Sequence, residues 1–235
     1  MDYNYLDISK MIDHSLLNPV MTDAELEAGC RLARDYRVAS ACVKPYYARR
    51  CAELLAESGV AASTVIGFPH GGHKTAVKLA EARQALDDGA TELDMVVNIG
   101  KVLSLDWAFV REDIRAVTET THQDGAIVKV IFENCYLRDE HKIRLCEICA
   151  ELGADFVKTS TGYGTGGATI EDLKLMRRHS PPSVRIKAAG GIRTLDALLE
   201  VRSIGVSRSG ATRTAQMLDE CKQRLAAART ASRRE

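Results

Sequence analysis

Ala154-Asp-Phe-Val-Lys-Thr-Ser-Thr-Gly-Tyr-Gly-Thr-Gly-Gly167 opens as an apolar run and ends as a glycine-rich turn. The run reads as a buried strand with a single lysine, Lys158, at its end. Gly162, Gly164, Gly166 and Gly167 follow, and Ala168-Thr-Ile-Glu-Asp-Leu starts a helical pattern. Glycine lets the backbone approach an anion closely, and a helix start presents free N–H groups. A buried amine beside such a turn points to covalent chemistry on a phosphorylated carbonyl compound. An ordinary strand-to-helix turn with a snorkelling lysine remains the plain alternative for this stretch alone.

Outward from that stretch, the same unit recurs. Apolar strands are expected at 11–17, 38–43, 60–68, 91–98, 126–132, 154–158, 184–189 and 206–209. Helical patterns separate them, such as Lys74 to Asp87, Asp106 to Thr121 and Arg138 to Leu152. Thr22-Asp-Ala-Glu25 is a capping box opening one of these helices. Leu6 to Met11 reads as a short leading helix, and the last helix is expected from Ala211 to about Ala227. Apolar runs rather than clean alternation indicate a parallel sheet covered on its outer face. Eight strand–helix units in 235 residues favour one closed (β/α)8 TIM barrel spanning residues 1–235 as a single domain.

The formal net charge is zero, which gives no global field for nucleic acid or an anionic membrane. The one charge run, Arg224 to Arg233, is basic, alanine-rich and expected to fray. No stretch approaches the roughly 18 apolar residues of a membrane span. The start, Met1-Asp-Tyr-Asn-Tyr, carries acid where a secretory signal carries base. Seven cysteines, an odd number spread through apolar patterns, fit reduced thiols, so a cytoplasmic protein is expected.

In a barrel of this kind, catalytic residues lie at the C-terminal ends of the strands. Three strands carry a lysine in an apolar run: Lys129, Lys158 and Lys187. Several ammonium groups in one barrel mouth cost folding energy, and function is the usual reason for keeping them. Lowering a lysine from about 10.4 to about 7 takes roughly 4.6 kcal/mol. A like charge about 4 Å away supplies around 4 kcal/mol at an effective dielectric of about 20. One neighbouring ammonium would therefore provide most of the shift. The free amine attacks a carbonyl to form an iminium ion, an electron sink for the adjacent C–C bond. Asp94, mid-strand, is the candidate acid/base, and Asp13 a second; each also fits a simple counter-ion role. Gly162, Gly190, Gly191 and the expected helix start at Gly210, Ala211 and Thr212 offer backbone N–H groups for a phosphate.

These residues resemble the 2-deoxyribose-5-phosphate aldolase family, class I aldolases of deoxynucleoside catabolism. The likeness runs through Ile12-Asp-His-Ser-Leu-Leu-Asn-Pro19, Cys42-Val-Lys-Pro45, Val65-Ile-Gly-Phe-Pro69 and Glu92-Leu-Asp-Met-Val-Val-Asn98. It continues through Val128-Lys-Val-Ile131, Phe156-Val-Lys-Thr-Ser-Thr-Gly162 and Ile186-Lys-Ala-Ala-Gly-Gly-Ile192. The resemblance implies reversible cleavage of 2-deoxy-D-ribose 5-phosphate to acetaldehyde and D-glyceraldehyde 3-phosphate. It assigns Lys158 as the Schiff-base lysine, Lys187 as its perturbing neighbour and Asp94 as an acid/base acting with water. Lys129 and Asp13 take supporting roles, and Gly162, Gly190 and Gly191 match phosphate-binding turns. No cofactor or metal ion is implied. The partners are a phosphorylated sugar and an aldehyde, and a homodimer is one assembly open to such a barrel.

The chain departs from the family where many members read Gly-Thr-Ser-Ser or Gly-Ala-Ser-Ser and this one has Gly210-Ala-Thr-Arg213. Arg213 either adds a phosphate contact or faces solvent. Tyr163 stands where many members have lysine or phenylalanine. Both bear on phosphate affinity and substrate preference. Cys42 reads as a pocket thiol or as a small buried hydrophobe. Cys146-Glu-Ile-Cys149 lacks a second ligand pair for zinc and reads as core. His70-Gly-Gly-His73 offers a metal-dependent alternative that leaves the barrel lysines unexplained. A non-catalytic sugar-phosphate-binding barrel, or an aldolase for another phosphorylated substrate, stays open as well.

Overall fold

The computed structural model describes residues 3–231. The chain enters through α1 (Tyr5–Ser9) into β1 (Ile12–Leu16), α2 (Asp23–Asp35), β2 (Ser40–Val43) and α3 (Ala48–Leu55). It continues through β3 (Ala61–Ile66), α4 (Thr75–Asp87), β4 (Glu92–Val96), α5 (Ile99–Leu103), α6 (Trp107–Gln123) and β5 (Ile127–Ile131). The last part holds α7 (Asp139–Glu151), β6 (Phe156–Lys158), α8 (Ile170–His179), β7 (Arg185–Ala188), α9 (Leu195–Ser203), β8 (Arg208–Ala211) and α10 (Thr214–Ala231).

The eight strands form a closed parallel barrel in sequence order, with β8 pairing back onto β1. Local chemistry sets the units. Thr22 caps α2, and Glu25 returns a bond to the Thr22 amide at 2.7 Å. Thr169 and Thr194 cap α8 and α9 in the same way, each accepting from the third helical amide. Gly89 follows the end of α4 at φ 90°, a left-handed turn that favours glycine. Among the described residues, no helix is long and apolar enough to cross a membrane.

The expected continuous apolar runs are in fact alternating. Leu93 and Met95 of β4, Val128 and Val130 of β5, and Ile186 of β7 pack outward in the main core, with helix residues such as Ile114, Leu145 and Leu198. Their neighbours Glu92, Asp94, Lys129 and Lys187 point the other way and are buried too. The barrel interior is therefore charged, where branched aliphatic layers are usual. Both faces are buried, so period-two alternation here does not mark a solvent face.

Two other points differ from the sequence reading. β8 is Arg208–Ala211, later than 206–209, because Ser209 and Gly210 pair with Ile12 and Asp13 of β1. Gly210 and Ala211 therefore belong to a strand, and the last helix begins at Thr214 rather than Ala211. The short α5 was not expected; Asn98 caps it by accepting from the Lys101 amide. The basic segment is helical as far as Ala231, and Arg233 lies outside the described residues.

Candidate active site

Strand closure converts separated sequence positions into one constellation. In the register, Asp94 lies beside Lys129, Lys158 beside Lys187, and Asp13 beside Gly210. Lys158 Nζ donates to Asp94 Oδ2 at 2.6 Å, and Lys187 Nζ donates to the same oxygen at 2.7 Å. Lys129 Nζ takes the other oxygen, Oδ1, at 2.7 Å. Lys187 also pairs with Asp13 Oδ2 at 2.6 Å, and Lys129 with Glu92 Oε2 at 2.7 Å. Arg208 bonds Asp13 through Nη1 and Glu92 through Nη2, the latter at 2.9 Å.

The two lysines that share Asp94 are driven in opposite directions. Burial pushes the Lys158 amine below the ordinary lysine value; the Asp94 carboxylate opposes this and the Lys187 charge reinforces it. Burial acts on Lys187 as well, but Asp13 and Asp94 outweigh it and hold that ammonium above its usual range. Lys129 is likewise raised, with burial overcome by Asp94 and Glu92. Burial alone would raise the Asp94 carboxyl, yet Lys129, Lys158 and Lys187 hold it well below the carboxylate range. The sequence arithmetic is corrected here: removal from water, not a single neighbouring ammonium, is the main cause of the Lys158 shift. A pairwise charge sum has no term for that.

A cavity of about 630 Å³ opens over this cluster at the C-terminal end of the strands. Lys158, Lys187, Asp13 and Cys42 line it, as do Gly162, Gly190, Gly191, Gly210, Ala211 and Thr212. Asp94 and Lys129 are not among its walls; both are fully buried beneath the two lining lysines. Gly190 and Gly191 sit at φ 78° and 97°. A Cβ at Gly190 would come within 2.8 Å of Gly167 Cα, so the turns after β6 and β7 can pack only as glycine. Arg193 lines the cavity, whereas Arg213 is exposed away from it.

Tyr163 closes one side. Its hydroxyl donates to the Leu17 carbonyl at 2.7 Å, and its ring meets Phe68 edge-on at 5.5 Å. Leu17, Cys42, Val65 and Phe68 form a small apolar wall next to Lys158. Burial pushes the Cys42 thiol up, which suits a small hydrophobe. Cys146 and Cys149 are buried in the main core.

Three residues escaped the sequence reading. Glu92 stands two positions before Asp94, so any register that turns one inward turns the other. Arg208 falls inside the short strand expected at 206–209, but its neighbours in Ser207-Arg-Ser-Gly210 give no apolar run against which a charge would stand out. Glu133 accepts bonds from the Thr161 amide and hydroxyl and so holds the turn after β6; its left-handed backbone, φ 60°, left no sequence signal.

The DeoC/LacD family aldolase model matches residues 8–215 of the chain. The chain belongs to that aldolase family. Within this aldolase family, the deoxyribose-phosphate aldolase of Rhodopirellula baltica is 64% identical over 224 residues, covering 95% of this chain and 93% of that protein. The deoxyribose-phosphate aldolase of Thermococcus gammatolerans is 49% identical, covering 87% and 92%. Among solved structures, a tetrameric deoxyribose phosphate aldolase from Aeropyrum pernix superposes with a TM-score of 0.86 at 32% identity, covering 93% of this chain and 92% of that one. The family's lyase chemistry and the closed barrel agree with the resemblance read from the sequence.

Proposed function

We propose that this aldolase reversibly cleaves 2-deoxy-D-ribose 5-phosphate into D-glyceraldehyde 3-phosphate and acetaldehyde through a Schiff base on Lys158. One observation carries the proposal: two lysines share one carboxylate oxygen, one driven toward the free amine and the other held charged. Lys187 cannot be the nucleophile while Asp13 and Asp94 hold its proton. The Lys158 amine attacks C1 of the open-chain sugar, and loss of water forms the iminium ion. The C2–C3 bond then breaks, its electrons moving into the iminium to give an enamine on Lys158, as the C3 hydroxyl loses its proton. Protonation at C2 and hydrolysis release acetaldehyde and restore the amine.

Asp94 is the proton's destination in this scheme, reached through a water or through the Lys187 ammonium that already bonds it. At rest it is a strong counter-ion and a poor base. As the C–C bond breaks, the charged Lys158 iminium becomes an uncharged enamine, so Asp94 faces one cation fewer and regains basicity. The phosphate is assigned to the backbone of the Gly162 and Gly190–Gly191 turns and of Gly210–Thr212 at the end of β8, with Arg193 as the cation at the rim. The apolar wall around Cys42 suits the C1–C2 end of the sugar. We propose a single barrel unit acting in the cytosol as a homo-oligomer. The Aeropyrum pernix relative, described as a tetramer, supports a multimer without choosing between dimer and tetramer.

The test is product analysis with the phosphorylated sugar, its unphosphorylated form and ketone donors. Release of D-glyceraldehyde 3-phosphate, fastest with the phosphorylated aldose, is expected. Absence of cleavage, or preference for another donor, would contradict the substrate assignment.

A further inference from the structure

Two charged side chains inside the barrel take no part in the reaction as drawn. Glu92 and Arg208 lie at the end away from the cavity, and neither lines it. Their bonds nevertheless connect them to the nucleophile. Arg208 reaches Asp13, which pairs with Lys187, and Glu92, which pairs with Lys129. Lys187 and Lys129 both end on Asp94, the partner of Lys158.

The cluster contains four cations (Lys129, Lys158, Lys187, Arg208) and three carboxylates (Asp13, Glu92, Asp94). All are shielded from water; Arg208, the most open, has a side chain 12% exposed. An uncompensated charge in such a place is costly, and the usual escape is loss of a proton. Arginine does not lose one. Lys129 touches Asp94 and Glu92 and lies near Asp13, and Lys187 touches Asp13 and Asp94. Lys158 touches Asp94 alone. Lys158 is therefore the least compensated cation and the one that yields.

We propose that Arg208 is a positioning residue for charge: by occupying Asp13 and Glu92 from below, it leaves Lys158 as the surplus cation and keeps its amine free. The inference rests on Lys158 being the nucleophile. The other groups around the cluster do not restore the balance. Cys42 on β2 carries a neutral thiol, and β3 offers only the Ser63 hydroxyl, 3.4 Å from Lys129. Lys10 and Arg185 add positive charge near Arg208, but Arg185 has a side chain 43% exposed, and Lys10 donates to the Val38 and Gly59 carbonyls. Water screens both.

The experiment is the pH dependence of borohydride-trapped adduct on Lys158, read by peptide mass spectrometry alongside kcat/KM. It compares the wild type with Glu92→Gln, Arg208→Met, Arg208→Lys and the double variant Arg208→Met/Glu92→Gln. Arg208→Met should move the acid limb up by about one pH unit, the size of a unit charge acting over about 10 Å at an effective dielectric of about 20. Glu92→Gln removes an anion and should move it down by a similar amount. Arg208→Lys keeps the charge and should leave the limb in place, and the double variant should return it near the wild-type position. An acid limb unmoved in both single variants, or moved in the same direction by both, overturns the inference. Should Arg208→Met not fold, the near-isosteric Glu92→Gln decides: a downward shift supports the inference and no shift overturns it. Absence of any Lys158 adduct in the wild type is a separate result, which removes the nucleophile assignment and this inference with it.

Discussion

Lys158 and Lys187 stand in adjacent strands at the same register and donate to one and the same oxygen, Asp94 Oδ2. What separates them is a second carboxylate. Asp13 lies 2.6 Å from Lys187, and no carboxylate other than Asp94 pairs with Lys158 among the described residues. Two chemically identical side chains a strand apart thus become a fixed charge and a candidate nucleophile.

Replacing Lys187 by leucine removes a nearby cation, so the Lys158 amine should hold its proton more tightly. The acid limb of kcat/KM is expected to move to higher pH, with reduced activity at pH 7. The displacement should fall short of the roughly three units that the pairwise charge arithmetic requires, because burial of Lys158 persists. A pH–rate profile between pH 5 and 9 reads this directly; an acid limb that stays in place would contradict the electrostatic coupling.

Behind the C-terminal end of β4, a second buried pair braces the barrel. Lys78 of α4 is fully buried, bonds Asp113 of α6, and donates to the Val96 carbonyl at the end of β4 at 2.8 Å. Asp113 also accepts from Thr75 at 2.8 Å. Lys78→Met strands a buried carboxylate, at an expected cost of about 3–5 kcal/mol. Adding Asp113→Leu should recover part of that loss. Urea unfolding of the two variants checks both, and a single-variant loss below about 1 kcal/mol would argue against the bracing role.

His14 makes stability pH-dependent. It is buried, its Nδ1 lies 2.9 Å from Thr214 Oγ1 at the start of α10, and burial holds its imidazole down at about 4. The unfolded chain binds its proton near 6.5, so between those values the unfolded state carries more protons and stability falls as pH falls. The loss on going from above pH 6.5 to pH 4 should be about 3 kcal/mol from this group. Urea denaturation across that range should show a flatter dependence for His14→Gln; identical slopes would rule the group out.

Tyr163 ties the turn after β6 to the loop after β1 through the Leu17 carbonyl. Tyr163→Phe removes one hydrogen bond worth about 1 kcal/mol and leaves the ring against Phe68. The expected result is a KM raised a few-fold for the phosphorylated sugar with kcat retained, because no bond links the hydroxyl to Lys158. Steady-state kinetics separate the two constants, and a fall in kcat at constant KM would place the hydroxyl in the chemistry instead.

What could be read from sequence and what could not divides along physical lines. Lys129, Lys158, Lys187 and Asp94 were conspicuous because a charge inside an apolar strand demands a reason. Glu92 opens its strand, where a charge is unremarkable, and Arg208 lies among serines and glycine in a short expected strand too polar for one charge to stand out. Their importance comes from closure of β8 onto β1, a contact between the two ends of the chain that no local pattern announces. Lys78 and Asp113 look like solvent-facing helix residues until α4 and α6 pack together. Burial as the chief cause of the Lys158 shift is likewise a property of the folded volume. The glycine turns were legible because left-handed backbone leaves few choices, yet the strand role of Gly210 was not.

The most direct measurement is reduction of the enzyme with borohydride in the presence of acetaldehyde or deoxyribose 5-phosphate, followed by peptide mass spectrometry. A stable two-carbon adduct on Lys158 after acetaldehyde, absent from Lys129 and Lys187, is the expected result. An adduct on Lys187, or catalytic turnover with no trapped lysine, would contradict a free amine at position 158 as the centre of this chemistry.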